Sequence, residues 1–326
     1  MIFQRRTFIQ ALAAGAAAPV ATWSSAQAYP ARPVRIISPF PPGGSADSVA
    51  RALAERLGQR MGQAFIIENR PGAGGGIGAD VVAKAAPDGY TIVIGAAGAM
   101  AINKSLYKSL PYDPVRDFTP ITLIGYSPVL LVAHPKGTAN TVGELIAAAK
   151  ASPGTLTFAS NGNGTAHHLT AELFMQAAGI EMTHVPYNGS APAIGDVIAG
   201  RVPYGFLDLT LSLQLMNSGR LKGIATTGSK RSAAVPKIPT VAESGLAGFD
   251  AVGWFGLFGP RNMPAPIVDA LNAQVKEVLA DPGFQATMLS LAVDTRSTTP
   301  QELAAYQREE IEKWAKVVRI AKVTLE

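Results

Sequence analysis

The chain has 326 residues, a formal charge of +5 at neutral pH, 16 % charged residues and no cysteine. The lack of thiols excludes a disulfide framework, a cysteine nucleophile and any cysteine-ligated metal cluster. Lysines and arginines are scattered and form no basic stripe, so the sequence carries no electrostatic footprint for nucleic acid.

Residues 1–28 read as an export signal: Arg5-Arg6, an alanine-rich weakly apolar run, no acidic residue, and Ala26-Gln27-Ala28 before Tyr29. The Arg-Arg-Thr-Phe-Ile order is similar to a twin-arginine signal, with an ordinary Sec signal as the alternative. No stretch reaches the roughly 20 apolar residues that a membrane-spanning helix needs. An exported, soluble protein is expected, with a charge of +3 once Arg5 and Arg6 are removed. Without disulfides it must rest on its core, and a chain of about 300 residues buries roughly three quarters of its unfolded surface.

Short apolar runs then alternate with helical patterns. Val34–Ile37 predicts a strand, Phe40–Ser45 a loop, and the recurrence of Val49, Leu53 and Leu57 a helix to Met61, stopped near Gly62. Ala64–Glu68 predicts a strand, Asn69–Gly76 a glycine-rich loop, Ile77–Ala86 a helix and Thr91–Gly95 a third strand. A second set follows Val129–Ala133. The capping signature Thr141-Val142-Gly143-Glu144 precedes a helix at Leu145–Lys150. Leu156–Ala159, Met182–Pro186, Pro203–Leu207 and Leu221–Thr226 read as strands, Thr165–Ala178 and Pro192–Gly200 as helices. Beyond Trp254–Gly259 the pattern turns helical, with Pro266–Leu279 amphipathic and Thr299-Pro300-Gln301-Glu302 opening a last long helix.

This alternation predicts an α/β fold in which mostly parallel sheets are flanked by helices. Two similar sets predict two lobes. The extended segments Phe118–Val132 and Ala251–Pro260 are the expected crossings. They make the first lobe discontinuous, 29–128 with 252–326, and leave 129–251 as the second.

Four glycine loops occupy equivalent places after strands: 40–45, 69–76, 161–165 and 188–190. In open α/β sheets ligands bind outside the carboxyl ends of strands. A helix N-terminus there offers unpaired N–H donors and about half a positive charge. A plain turn explains any one loop; the set predicts an anion cradle. Ser45 is a candidate N-cap, and Asp47 falls in a first helical turn, where a carboxylate favours the dipole. Asp208 ends a predicted strand, where it would accept from a ligand hydroxyl or ammonium, or from hinge backbone. His167 and His168 point about 100° apart on a helix and belong to no zinc-binding pattern, so no metal is expected. Gly74-x-Gly76-x-x-Ala79 lacks an acidic residue about 20 positions on, and no Walker motif exists, so no nucleotide or other cofactor is expected. Ser45 and Ser190 lack a nucleophile elbow, so no catalytic residue is assigned and an exported α/β hydrolase stays an alternative.

The segments PFPPGGSADSVARAL, ENRPGAGGGIGADVVAKAAPDGYTIVIG, HVPYNGSAPAIGDVIAGRVPYGFLD and KRSAAVPKIPTVAESGLAGFDAVGWFGLFGP resemble the Bug receptors, extracytoplasmic solute-binding proteins of the tripartite tricarboxylate transporter class. The resemblance runs over essentially the whole chain after the signal. It implies a two-lobe Venus-flytrap of periplasmic-binding-protein type II, without enzymatic activity. It also implies one small carboxylate (a di- or tricarboxylate, acidic amino acid or aromatic carboxylate) held by loop amides and ordered water. Carried over by position, the implied contacts are Phe40, Gly43, Gly44 and Ser45 with Gly74, Gly75 and Gly76 in the first lobe. In the second they are Gly164, Thr165, His168, Tyr187, Gly189, Ser190 and Asp208. Pro41, often alanine in the family, and the variable places His167 and Asn188 depart from its pattern near the expected pocket. Implied partners are membrane permease subunits, or a sensor kinase as the alternative, with the receptor itself a monomer.

Overall fold

The computed structural model describes residues 29–325; the export-signal expectation lies outside them. β1 (Val34–Ser38) feeds α1 (Ser45–Met61), whose Val49, Leu53 and Leu57 are fully buried, as their spacing requires. Gly62 ends α1 at φ 69°, a left-handed cap that costs glycine nothing. β2 (Phe65–Asn69) leads through a 3-10 turn at Ala73–Gly75 into α2 (Gly76–Ala83), and β3 (Thr91–Ala96) through a π-turn at Gly98–Ile102 into α3 (Asn103–Leu106). β4 (Phe118–Ala133) is followed by α4 (Val142–Ala151), β5 (Thr157–Ser160), α5 (Ala166–Ala178), β6 (Thr183–Pro186), α6 (Ser190–Ile198), β7 (Tyr204–Asp208), α7 (Leu209–Asn217) and β8 (Lys222–Thr226). The chain closes with β9 (Val252–Pro260), α8 (Ala265–Ala280), α9 (Pro282–Ser290), β10 (Asp294–Thr295) and α10 (Pro300–Ala321), the last opened by the full Thr299/Glu302 capping box.

The strand order is β2-β1-β3-β9-β4-β7-β5-β6, with β8 and β10 also paired to β4. The βαβ units give parallel pairs, β1 with β2 and β3, and β5 with β6 and β7. Every pairing of the long strands β4 and β9 is antiparallel, so the sheet is mixed. β4 changes partners along its length: Phe118–Pro128 pair with β9, and Val129–Ala133 with β7. The buried Thr227 sits at that change. Its Oγ1 accepts from Val129 N–H (3.0 Å) and donates to Ala251 O (2.6 Å), and its own N–H donates to Val129 O (3.1 Å). Both segments that pass between the partner sets of β4 are thereby tied to one side chain.

Register then places the strand ends. Asp208, the last residue of β7, pairs with Val129. Ala96, the last of β3, pairs with Phe255, which pairs with Gly125. The carboxyl ends of strands from both partner sets therefore finish between Gly125 and Val129 of β4, about 13 Å apart at ~3.3 Å per residue. Helix α10 braces this region from the side. Trp254 of β9 and Trp314 of α10, both fully buried, donate their indole N–H groups to one oxygen of the buried Glu310 at 3.0 and 2.9 Å.

Candidate functional site

Each half builds its loops around one aspartate. In the first, Asp47 is buried in the opening turn of α1. Its carboxylate accepts from Gly43 N–H (2.9 Å), Asn69 Nδ2 (2.7 Å) and Arg51 Nε (2.9 Å). Burial alone would push Asp47 up; the bonds from Arg51, Asn69 and Gly43 outweigh it and hold the carboxyl below its ordinary range. Asn69 also donates to Phe40 O (3.0 Å), so one side chain spans two loops. Two expectations change here. Gly44, not Ser45, is the N-cap, and Ser45 is the first helical residue; Asp47, two positions into the helix, supplies the anchoring oxygen instead. Gly43, at φ +82°, spends its N–H on Asp47 and serves the loop as a turn. The first intrahelical bond of α1 runs from Ser48 N–H to Gly44 O (2.9 Å), which leaves the N–H groups of Ser45 and Ala46 beyond the reach of the helix ladder.

The second loop closes on the first through Gly75. A Cβ at this position would lie 3.2 Å from Ala99 and 3.3 Å from the Phe40 ring, and φ +89° also selects glycine. Gly75 and Gly76 spend their N–H groups on Gly72 O and Ala73 O, while Gly74 is exposed. Asn103 Nδ2 holds the loop from below through Ala73 O (3.2 Å) and Gly74 O (3.3 Å).

In the second half the aspartate is Asp208. Its Oδ2 accepts from Ser190 Oγ in a very short contact and from Asn161 Nδ2 (2.9 Å), and its Oδ1 lies 3.2 Å from His167 Nε2. Burial pushes Asp208 up, but His167, then Ser190 and Asn161, hold it well below the usual carboxylate range, so it is ionised. Ser190 opens α6 behind the N-cap Gly189, whose N–H donates to Asn161 O (3.2 Å). The Ser190 and Ala191 N–H groups, like those at α1, stand ahead of the helix ladder.

The remaining expected contacts are placed otherwise. His168 is buried, its ring stacked on His184 at 3.8 Å, and its Nδ1 accepts from Gly164 N–H (3.0 Å). It belongs to the core, and His167 is the histidine that meets Asp208. Gly164 is itself pressed against Leu106 and Leu325, where a Cβ would come within 2.4 and 3.0 Å of their side chains. Thr165 caps α5 by accepting from His168 N–H (3.3 Å) and donates to Gly162 O (2.8 Å). Tyr187 donates its hydroxyl to Asp196 (2.6 Å), and burial followed by Asp196 pushes it up to about 12. The structure thus draws together Phe40 with Gly75, and Ser190 with Asp208. It turns the His168 and Tyr187 side chains and the Gly164 N–H to internal partners. Asn161 and His167 were absent from the expected contacts. The available signal was that Asn161 follows its strand as Asn69 ends β2, each reaching an aspartate beside a helix start.

Among the described residues no helix is long and apolar enough to cross a membrane, and no three acidic or histidine side chains cluster where they could hold a metal ion.

The family model described as "Tripartite tricarboxylate transporter family receptor" matches residues 49–323. The protein BugT of Bordetella pertussis is 39 % identical over 307 residues, covering 94 % of this chain and 93 % of its own. Among solved structures, Rpa4515 of R. palustris with adipate has a TM-score of 0.83 at 36 % identity, covering 91 % of this chain and 99 % of the other. MatC of Rhodopseudomonas palustris with bound malate has 0.78 at 33 %, covering 89 % and 100 %. The fold is that of the Bug solute-binding proteins, and the chain belongs to the tripartite tricarboxylate transporter receptor family.

Proposed function

We propose that the chain is a periplasmic receptor that closes two lobes, 29–128 with 252–326 and 129–251, on one small carboxylate and delivers it to membrane permease subunits. The observation that carries this reading is the register of β4. It lines up the carboxyl ends of strands from both partner sets, with the N-termini of α1 and α6 beside them. Adipate in one structural neighbour and malate in another support the ligand class. A desolvated carboxylate needs charge-assisted donors, each contributing about 1.5–3 kcal/mol net. The N–H groups of Ser45, Ala46, Ser190 and Ala191, which the helix ladders do not use, are such donors, with Phe40, Gly44 and the Gly74–Gly76 turn beside them. A ligand that touches both lobes stabilises only the closed state fully, and the population shifts by that difference.

A hydrolase reading fits poorly. The Ser190 hydroxyl donates its hydrogen bond to Asp208, a carboxylate held below its ordinary range and therefore a weak base, while His167 addresses Asp208 and not the serine. Thermal shift with a panel of carboxylates, neutral sugars and cations tests the proposal. A carboxylate at a hundred times its dissociation constant should add about 2.7 kcal/mol of stability. The same acid should be recovered chemically intact after incubation. Stabilisation by sugars or cations, and by no acid, would overturn the reading.

A further inference from the structure

The polar cluster around Asp208 contains an acceptor that the backbone donors leave unused. Asn161 Oδ1 is shut off from solvent and, among the described residues, has no hydrogen-bond partner. The same side chain's Nδ2 donates to Asp208 Oδ2 (2.9 Å) and lies 3.0 Å from His167 Nδ1. Turning the amide over would set Oδ1 against the carboxylate, acceptor to acceptor, so Asp208 fixes its orientation. Buried acceptors without a donor are uncommon enough in native proteins to call for a use.

Asp208 points to the same use. A carboxylate offers about four acceptor positions, and Ser190, Asn161 and His167 account for three. Its side chain retains 23 % exposure, and among the described residues no lysine or arginine lies within ion-pair distance. The backbone donors at the starts of α1 and α6 suit the carboxylates of a ligand. Asn161 Oδ1 and Asp208 offer those carboxylates only repulsion, and suit an N–H or O–H group instead.

We infer, building on the receptor reading above, that Asn161 Oδ1 and Asp208 form a donor-recognition subsite, and that the preferred ligand is an amino- or hydroxy-substituted carboxylate. The chemistry required is a hydrogen-bond donor close to a carboxylate; ammonium and hydroxyl are its two sources.

Calorimetric titration with matched acids tests this. Succinate, malate and aspartate form one set, and adipate, 2-hydroxyadipate and 2-aminoadipate a longer one; the comparison is made in whichever set binds. The substituted acids should bind at least about tenfold tighter than the plain one. The order of hydroxy and amino acids then names the donor. In Asp208→Asn this preference, read as the ratio of substituted to plain acid affinity, should fall to about threefold or less, whatever the variant costs the plain acid through the loop it anchors. A purely structural aspartate would instead weaken all three alike. Should that variant not fold, the structure of the wild-type complex decides: a ligand N or O atom in contact with Asn161 Oδ1 or Asp208 supports the subsite, and an ordered water alone there overturns it. Equal affinities within a binding set also overturn the subsite and leave the receptor reading standing; if no carboxylate binds, the receptor reading itself fails.

Discussion

Replacing Asp47 with alanine should loosen the first lobe's loops and destabilise the whole chain. The carboxylate is nearly inaccessible and holds Gly43 N–H at 2.9 Å and Asn69 Nδ2 at 2.7 Å. Hydrogen bonds to a charged acceptor contribute about 1.5–3 kcal/mol each, so two of them set an upper range of about 3–6 kcal/mol. Arg51 adds little, since its side chain is more than half exposed. Water reaching the exposed Gly43 recovers part of the loss, which brings the expected cost of Asp47→Ala to about 2–4 kcal/mol. Asp47→Asn keeps one acceptor oxygen and should cost about 1–2 kcal/mol. The sign of the pH effect follows from the lowered carboxyl. The folded state holds Asp47 ionised more tightly than the unfolded chain does, so its contribution is complete above pH 3.8 and is lost as pH falls through the folded value. Urea denaturation at pH 7 and again near pH 3 measures both effects, and carboxylate titration of the Asn variant reads the loop, with an expected loss of about tenfold in affinity, equivalent to 1.4 kcal/mol. An alanine variant with an unchanged midpoint, or alanine and asparagine variants that behave alike, would refute the reasoning.

Further expectations concern the junction and the core. Thr227→Val removes the hydroxyl that joins Val129 N–H to Ala251 O and should cost about 1–3 kcal/mol, read by urea denaturation; a midpoint within error of wild type would contradict its role. Glu310→Ala leaves the Trp254 and Trp314 indoles unpaired in the core and should cost about 3–5 kcal/mol, with Glu310→Gln retaining roughly half; an equal loss in both would contradict the shared-acceptor account. Burial, with His168 stacked alongside, lowers His184 from 6.5 to about 3. The unfolded chain then binds a proton that the folded one refuses, so this histidine's contribution is present above pH 6.5 and declines toward pH 3. Its ring resonances should stay unshifted between pH 5 and about 8 in an NMR titration; a midpoint near 6.5 would show that the stack is open to solvent.

Much of the fold is legible because local chemistry and global packing agree. Val49, Leu53 and Leu57 carry the period of α1, Gly62 its stop, and Thr299 with Glu302 the start of α10. Helix α7 is hidden, since Leu209, Leu211, Leu213 and Leu215 alternate as a strand would, and only the packing of Leu209 and Ser212 into the core reveals a helical face. The site is legible as loops and less so as side chains. Adjacent His167 and His168 are equivalent on paper; the arrival of His184 from β6 draws one into the core, and Asp208, from β7, meets the other. Asn161 reaches an aspartate 47 positions away, and Gly164 is required by Leu106 and Leu325, contacts that no local pattern announces.

A crystal structure of the protein with its carboxylate tests the central claim most directly. Carboxylate oxygens should lie about 3 Å from the N–H groups of Ser45 or Ala46 on one lobe and of Ser190 or Ala191 on the other, with no lysine or arginine in contact. A carboxylate paired to a cationic side chain, or bound to one lobe alone, would contradict it.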